Sequence, residues 1–131
     1  MGLKDKIEKQ KESFVKAIGR LEDALKEEKN EFVRDSVVCR FEFSFKLGWK
    51  LMKMVLNYLG REDCNSPRES IIISAQVKLI DNPEKWLDYL EVRNLSVHMY
   101  SENTAEEVYK LAGEFVEDAR KLERVAEERL S

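Results

Sequence analysis

Arg40-Phe41-Glu42-Phe43-Ser44-Phe45-Lys46-Leu47-Gly48-Trp49-Lys50 can be read in two ways. Its first half alternates apolar and polar residues, as a strand with one wet face would. The alternation lasts only from Phe41 to Phe45, however, and the sequence around it, through Leu51, Met52, Val55 and Leu56, continues at helical spacing. From Glu31 to Leu59 there is no proline, and Gly48 is the only glycine. The spacing predicts one helix of roughly 29 residues, about 43 Å long, apolar on more than one face. A surface helix needs a single apolar stripe, so the excess places this one at the centre of a bundle or against a partner. Glu42 and Lys46, four apart, read as a pair that solvates one side.

Towards the N-terminus, Leu3, Ile7, Phe14, Ile18, Leu21 and Leu25 recur at helical intervals among lysines and glutamates, the signature of an amphipathic helix. It ends in Glu27-Glu28-Lys29-Asn30, where Asn30 is placed to cap the helix that follows. Towards the C-terminus, Gly60 is a helix stop and residues 61–65 a loop. Ser66-Pro67-Arg68-Glu69 has a cap, a proline at the first helical position and a glutamate at the third. A short helix through Ile71, Ile72, Ala75 and Val77 follows. Asp81-Asn82-Pro83 opens another by the same logic, through Trp86, Leu87, Tyr89, Leu90 and Val97, with Trp86 and Tyr89 at core spacing. Ser101 to Thr104 reads as a break, with Thr104 and Glu107 forming a second capping box. A last helix carries Val108, Leu111, Ala112, Phe115, Ala119, Leu122, Val125 and Leu130. The expected fold is all-α: an up-and-down antiparallel bundle of four longer helices and one short one.

The 131 residues suffice for one domain with a real core, and nothing in the chain suggests a division of residues 1–131. Charged residues make up 37% of the sequence, yet the net charge is only -3. Global charge therefore does not favour non-specific binding to DNA or RNA, and any RNA contact must be local. Cys39 and Cys64 stand far apart, with no second histidine to complete a zinc set, and read as free thiols of a cytosolic protein. The charged start Met1-Gly2-Leu3-Lys4-Asp5-Lys6 has no apolar signal core, and no apolar run approaches membrane-spanning length. A soluble cytoplasmic protein without metal or cofactor is expected.

The chemistry concentrates in Arg93-Asn94-Leu95-Ser96-Val97-His98-Met99-Tyr100, which holds the only histidine. Histidine takes and gives a proton near neutral pH, and arginine forks onto phosphate oxygens. With Asn94 orienting the imidazole, this set suits metal-free RNA cleavage. His98 would deprotonate a 2′-hydroxyl while Arg93 holds the phosphate as charge develops. On an ideal helix Asn94 and His98 share a face, but Arg93 and His98 lie about 140° apart. Two arrangements would bring them together: fraying of the helix after Val97, or a site completed by a second copy of the chain. On spacing alone the pattern fits a structural histidine near a helix end better than a catalytic one.

Three stretches together, the one from Arg40 to Lys50, Asn65-Ser66-Pro67-Arg68-Glu69, and the one from Arg93 to Tyr100, resemble the HepT-type branch of the HEPN superfamily. Its members are also called nucleotidyltransferase substrate-binding proteins and are typically encoded beside a minimal nucleotidyltransferase. The resemblance covers nearly the whole chain, with Lys46 in place of an acidic residue and Gly48 in place of a more usual alanine. It implies that Arg93 and His98 are the catalytic pair of a metal-independent ribonuclease, supported by Asn94. It also implies a homodimer whose two motifs face each other, and Tyr100 as the residue to which the partner nucleotidyltransferase attaches AMP. Two functions follow: an RNA-cleaving toxin subunit silenced at Tyr100, or a non-catalytic subunit that presents substrate to the nucleotidyltransferase. A bundle metalloenzyme is disfavoured, since no Glu-x-x-His pair is present.

Overall fold

Phe41 and Phe45 are fully buried, whereas Phe43 between them is 58% exposed. A strand would put all three on one face; a helix stacks the outer two and turns the middle one away. The computed structural model describes residues 2–131 and places the stretch inside a continuous helix. The helices are α1 Leu3–Lys26, α2 Glu31–Tyr58, α3 Pro67–Gln76, α4 Pro83–His98 and α5 Glu102–Leu130, four longer and one short. They form the antiparallel bundle expected, and α2 packs against all four others. Its surplus of apolar residues is thereby explained: Val37, Phe41, Phe45, Leu51, Met52 and Val55 face different neighbours in one core.

The core is aromatic at its centre. Phe115 of α5 meets Phe41 edge-on at 5.1 Å, Trp86 at 5.7 Å and Tyr89 at 5.3 Å between ring centroids, the geometry that sets a positive ring edge against a negative face. Trp86 and Tyr89 are thus core residues, and the Tyr89 hydroxyl donates to Asp118 at 2.5 Å. Gly48 faces the Phe14 ring, which a Cβ at that position would meet at 3.0 Å. Close approach of α1 to α2 is what a glycine permits here in place of alanine.

Local chemistry sets most of the helix ends. The Asn30 side chain accepts from the Val33 N–H at 2.8 Å, and that of Ser66 from the Glu69 N–H at 3.1 Å. Gly60, at φ +92°, sits in the left-handed region. The N–H of Gly60 reaches the Asn57 carbonyl and that of Arg61 the Leu56 carbonyl, the paired bonds of a Schellman stop. The same pair closes α3, where the N–H groups of Lys78 and Leu79 reach Ala75 and Ser74, with Lys78 at φ +64° in the glycine role.

Three expectations are corrected. The capping box of α5 joins Ser101 and Thr104, not Thr104 and Glu107: the Ser101 hydroxyl accepts from the Thr104 N–H at 3.1 Å, and the Ser101 N–H donates to Thr104 Oγ1 at 2.9 Å. A threonine at the third position does the work of the usual glutamate, so α5 starts earlier and only Met99 to Ser101 separate it from α4. Asn82 precedes α4, but its side chain makes no cap bond and donates instead to Asp118 at 2.9 Å. Glu42 does not simply solvate α2 beside Lys46, because it accepts from the buried Ser96 hydroxyl of α4 at 2.6 Å. Among the described residues, no helix is long and apolar enough to cross a membrane.

Candidate functional site

α4 is amphipathic in an unusual sense: one face enters the core and the other lines a cleft. Trp86, Tyr89, Leu90, Val92 and Ser96 are buried, and the Ser96 to Glu42 bond fixes the rotation of the last turns against α2. Asn94 and His98 therefore face away from α2 on one side, a turn apart. They line a cleft of about 830 Å³ together with Leu87, Leu95 and Arg93 of α4 and with Ser66, Pro67 and Arg68 at the start of α3.

Arg93 and His98 reach that cleft without any fraying of α4. The helix runs through His98, and the Met99 N–H still bonds the Leu95 carbonyl at 2.7 Å. Arg93 is long enough to lean across its neighbour, and its Nη1 donates to Asn94 Oδ1 at 3.2 Å. The guanidinium is thereby drawn towards the face that Asn94 shares with His98. Asn94, expected to orient the imidazole, has its amide oxygen engaged by Arg93 instead. The Arg93 Nε is buried and has no acceptor, so what this cation can offer an anion at the cleft is its terminal nitrogens, held only by the neutral Asn94 amide.

Tyr100 lies outside the cleft lining. It is 54% exposed, and its hydroxyl donates to Asp35 Oδ1 at 2.6 Å. The same oxygen accepts from Arg34 Nε at 3.3 Å and Nη2 at 3.2 Å. Arg34 is itself buried and also donates to Glu102 at 2.6 Å and Glu106 at 3.4 Å. This knot ties the start of α2 to the start of α5 around the short turn that carries Tyr100. Its charges shift one another: the Tyr100 hydroxyl first, then Arg34, hold the Asp35 carboxyl below its ordinary range, and Lys29 does the same to Glu106. Accepting by Asp35 raises the Tyr100 phenol.

Sequence reading did not find Arg68, Asp88, Glu91 or Asp35. Arg68 stood inside a stretch that signalled a helix start and the family resemblance but gave this side chain no role. Asp88 and Glu91 also line the cleft, so its two arginines are matched by two carboxylates and the site is not a strongly basic patch. Asp35 has no local signal, being 65 residues from the hydroxyl it holds. Among the described residues, no three His, Cys, Asp or Glu side chains gather into a metal-binding group.

The arrangement recurs among known proteins at the level of the fold. A protein from Thermus thermophilus is 26% identical with a TM-score of 0.75, over 89% of this chain and 98% of that one. A tri-AMPylated Shewanella oneidensis HEPN toxin, solved in complex with an MNT antitoxin, is 19% identical with a TM-score of 0.80, over 98% and 99% of the two chains. A chain of the toxin-antitoxin MntA-HpeT is 18% identical with a TM-score of 0.79, over 95% and 98%. A comparison with curated proteins finds no match. The class is thus an all-helical protein with the HEPN toxin fold. More narrowly, residues 9–128 match the family described as nucleotidyltransferase substrate binding protein like, and the chain belongs to that family.

Proposed function

We propose that this chain is a metal-independent ribonuclease toxin subunit, held inactive by a partner nucleotidyltransferase that attaches AMP to Tyr100. The observation that carries the reading is the gathering of Arg93, Asn94 and His98 on one cleft of α4. His98 takes the proton of a ribose 2′-hydroxyl, which attacks the adjacent phosphorus, and Arg93, steadied by Asn94, holds the phosphate oxygens as charge builds. Arg68 is a second cation for the RNA backbone. The departing 5′-oxygen needs a proton, and a homodimer with two copies of His98 would supply a second imidazole. Leu95, Val97 and Met99, at 38%, 50% and 69% exposure, give the end of α4 an apolar margin that suits such a dimer.

The partner is inferred from the family and from solved relatives described as HEPN toxins with MNT antitoxins. One of them is tri-AMPylated, which supports AMP as the modifying group, and the exposed Tyr100 beside the cleft is the position we assign to it. An AMP group on Tyr100 adds an anion one residue beyond Met99, which lines the cleft, so Arg93 and Arg68 would receive it in place of RNA.

The test has two parts. Purified chain is incubated with RNA, and the chain co-expressed with a minimal nucleotidyltransferase from the same genome is weighed intact and mapped by peptide. The reading expects cleavage by the parent, none by His98→Ala, and added AMP on Tyr100 that abolishes cutting. Cleavage by His98→Ala at the parental rate would overturn the ribonuclease assignment. Tyr100→Phe should cut RNA within about threefold of the parent and resist silencing; loss of cutting with the fold preserved would make the hydroxyl part of the cleavage chemistry.

A further inference from the structure

Tyr100 is an unusual acceptor to leave on a surface turn, because a free phenol is a poor nucleophile at neutral pH and needs help losing its proton. The structure supplies that help within the chain. The Tyr100 hydroxyl points to Asp35 Oδ1 at 2.6 Å, within the reach a general base requires. Both residues remain open to a partner: Tyr100 is 54% exposed and the Asp35 side chain 46%. Arg34 holds the same carboxylate oxygen through two nitrogens, so Asp35 is oriented independently of Tyr100.

We infer that Asp35 is the catalytic base for modification of Tyr100, so that this chain brings half of the transfer chemistry to its partner. The inference rests on the reading of Tyr100 as the AMP acceptor. The co-reactant is a nucleoside triphosphate held by the nucleotidyltransferase. The phenolic oxygen bonds to the α-phosphorus, the bond from that phosphorus to the bridging oxygen of pyrophosphate breaks, and pyrophosphate leaves. The phenolic proton passes to Asp35. A carboxylate is a weak base for a resting phenol, but the phenol becomes strongly acidic as its oxygen bonds to phosphorus, so transfer late in the step runs downhill. Protein kinases use an aspartate on a substrate hydroxyl in the same way. The product no longer donates to Asp35 and bears a phosphate anion beside it, so the modified side chain is driven off the carboxylate.

The experiment is single-turnover AMP transfer onto the full chain by its nucleotidyltransferase with ATP, at saturating partner, followed by intact mass. Asp35→Asn keeps an oxygen that can accept from the phenol but loses the basicity. The charged groups facing Asp35 are Arg34 on its own helix and, through Arg34, Glu102 and Glu106 of α5; none is changed in this variant. The expected result is a fall of roughly 100-fold in rate at pH 7, with Asp35→Glu recovering part of it. The Asn variant should then gain about tenfold per pH unit towards pH 9, as solvent ionises the phenol that Asp35 no longer serves, while the parent stays nearly flat. An Asn variant within threefold of the parent, with the same pH profile, would overturn the role of Asp35 and leave Tyr100 standing as the acceptor. A parent that takes no AMP, or takes it elsewhere, would overturn the acceptor assignment and this inference with it.

Discussion

Arg34 and Arg93 are both withdrawn from water, and their surroundings differ in kind. Arg34 is buried among three carboxylates, with ion pairs to Glu102, Glu106 and Asp35. Those partners raise its already high pKa and fix its charge. Arg93, half-buried at the cleft, has one neutral partner in Asn94 and a buried Nε with none. A cation whose donors are all met by fixed anions is a structural tie, since an incoming phosphate would have to displace them. One held only by a neutral amide, at a cleft that a histidine also lines, is suited to receive an anion. The fold thus keeps a spent arginine and an unspent one near the two ends of the same short turn.

The largest effect that would sharpen this contrast is on activity. His98→Ala should cut RNA at least about 100-fold more slowly than the parent, and Arg93→Ala by a similar factor, each with Tm within a few degrees. A large fall in Tm for Arg93→Ala would erase the distinction, by making Arg93 a tie as well. Arg34→Ala should do the opposite: Tm lower by on the order of 10 °C, with the protein that remains folded still cutting RNA. Unchanged Tm would mean that the carboxylate knot contributes nothing.

Acid offers a smaller, selective probe. Asp35 and Glu106 have folded-state pKa values below their ordinary ones. Groups shifted this way stabilise the fold above their unfolded pKa and lose that contribution as pH falls through the folded one. The Arg34 knot should therefore be intact above about pH 4.5 and loosen below it, which a pH series of thermal melts would read; Arg34→Ala should flatten that dependence. The smallest effect concerns the cleft rim. Asp88→Asn with Glu91→Gln removes the two carboxylates that balance Arg68 and Arg93, and should tighten RNA binding several-fold at low salt, fading as salt rises. No change in titrations at low salt would place RNA away from this cleft.

Much of the fold was legible from neighbours in sequence. Asn30 and Ser66 cap helices through bonds to the third residue on, and Gly60 stops one by adopting a conformation open to glycine. The Phe41 to Phe45 stretch was ambiguous over five residues and clear over thirty, since periodicity needs length to speak. Where two local solutions competed, reading failed. Thr104 was read as the cap inside a break, whereas Ser101 takes that role in the fold, a choice that accompanies the Arg34 to Glu102 bond made by α2. Lys78 ends α3 with no glycine to announce it, through a backbone whose carbonyl at Val77 is also held by Arg129 from α5.

The candidate site divides along the same line. Residue types and spacing picked out Arg93, Asn94, His98 and Tyr100, because proton transfer and phosphate binding use few side chains. They could not say that Arg93 would lean over Asn94 to join His98, that Arg68 and two carboxylates would share the cleft, or that Tyr100 would turn to Asp35. The sequence by itself determined the helices, their order and the chemistry available, since those follow from contacts within a turn or two of the chain. Only the tertiary structure decided which groups meet, because packing around α2 sets the rotation of α4, and through it which side chains face the cleft and which face the core.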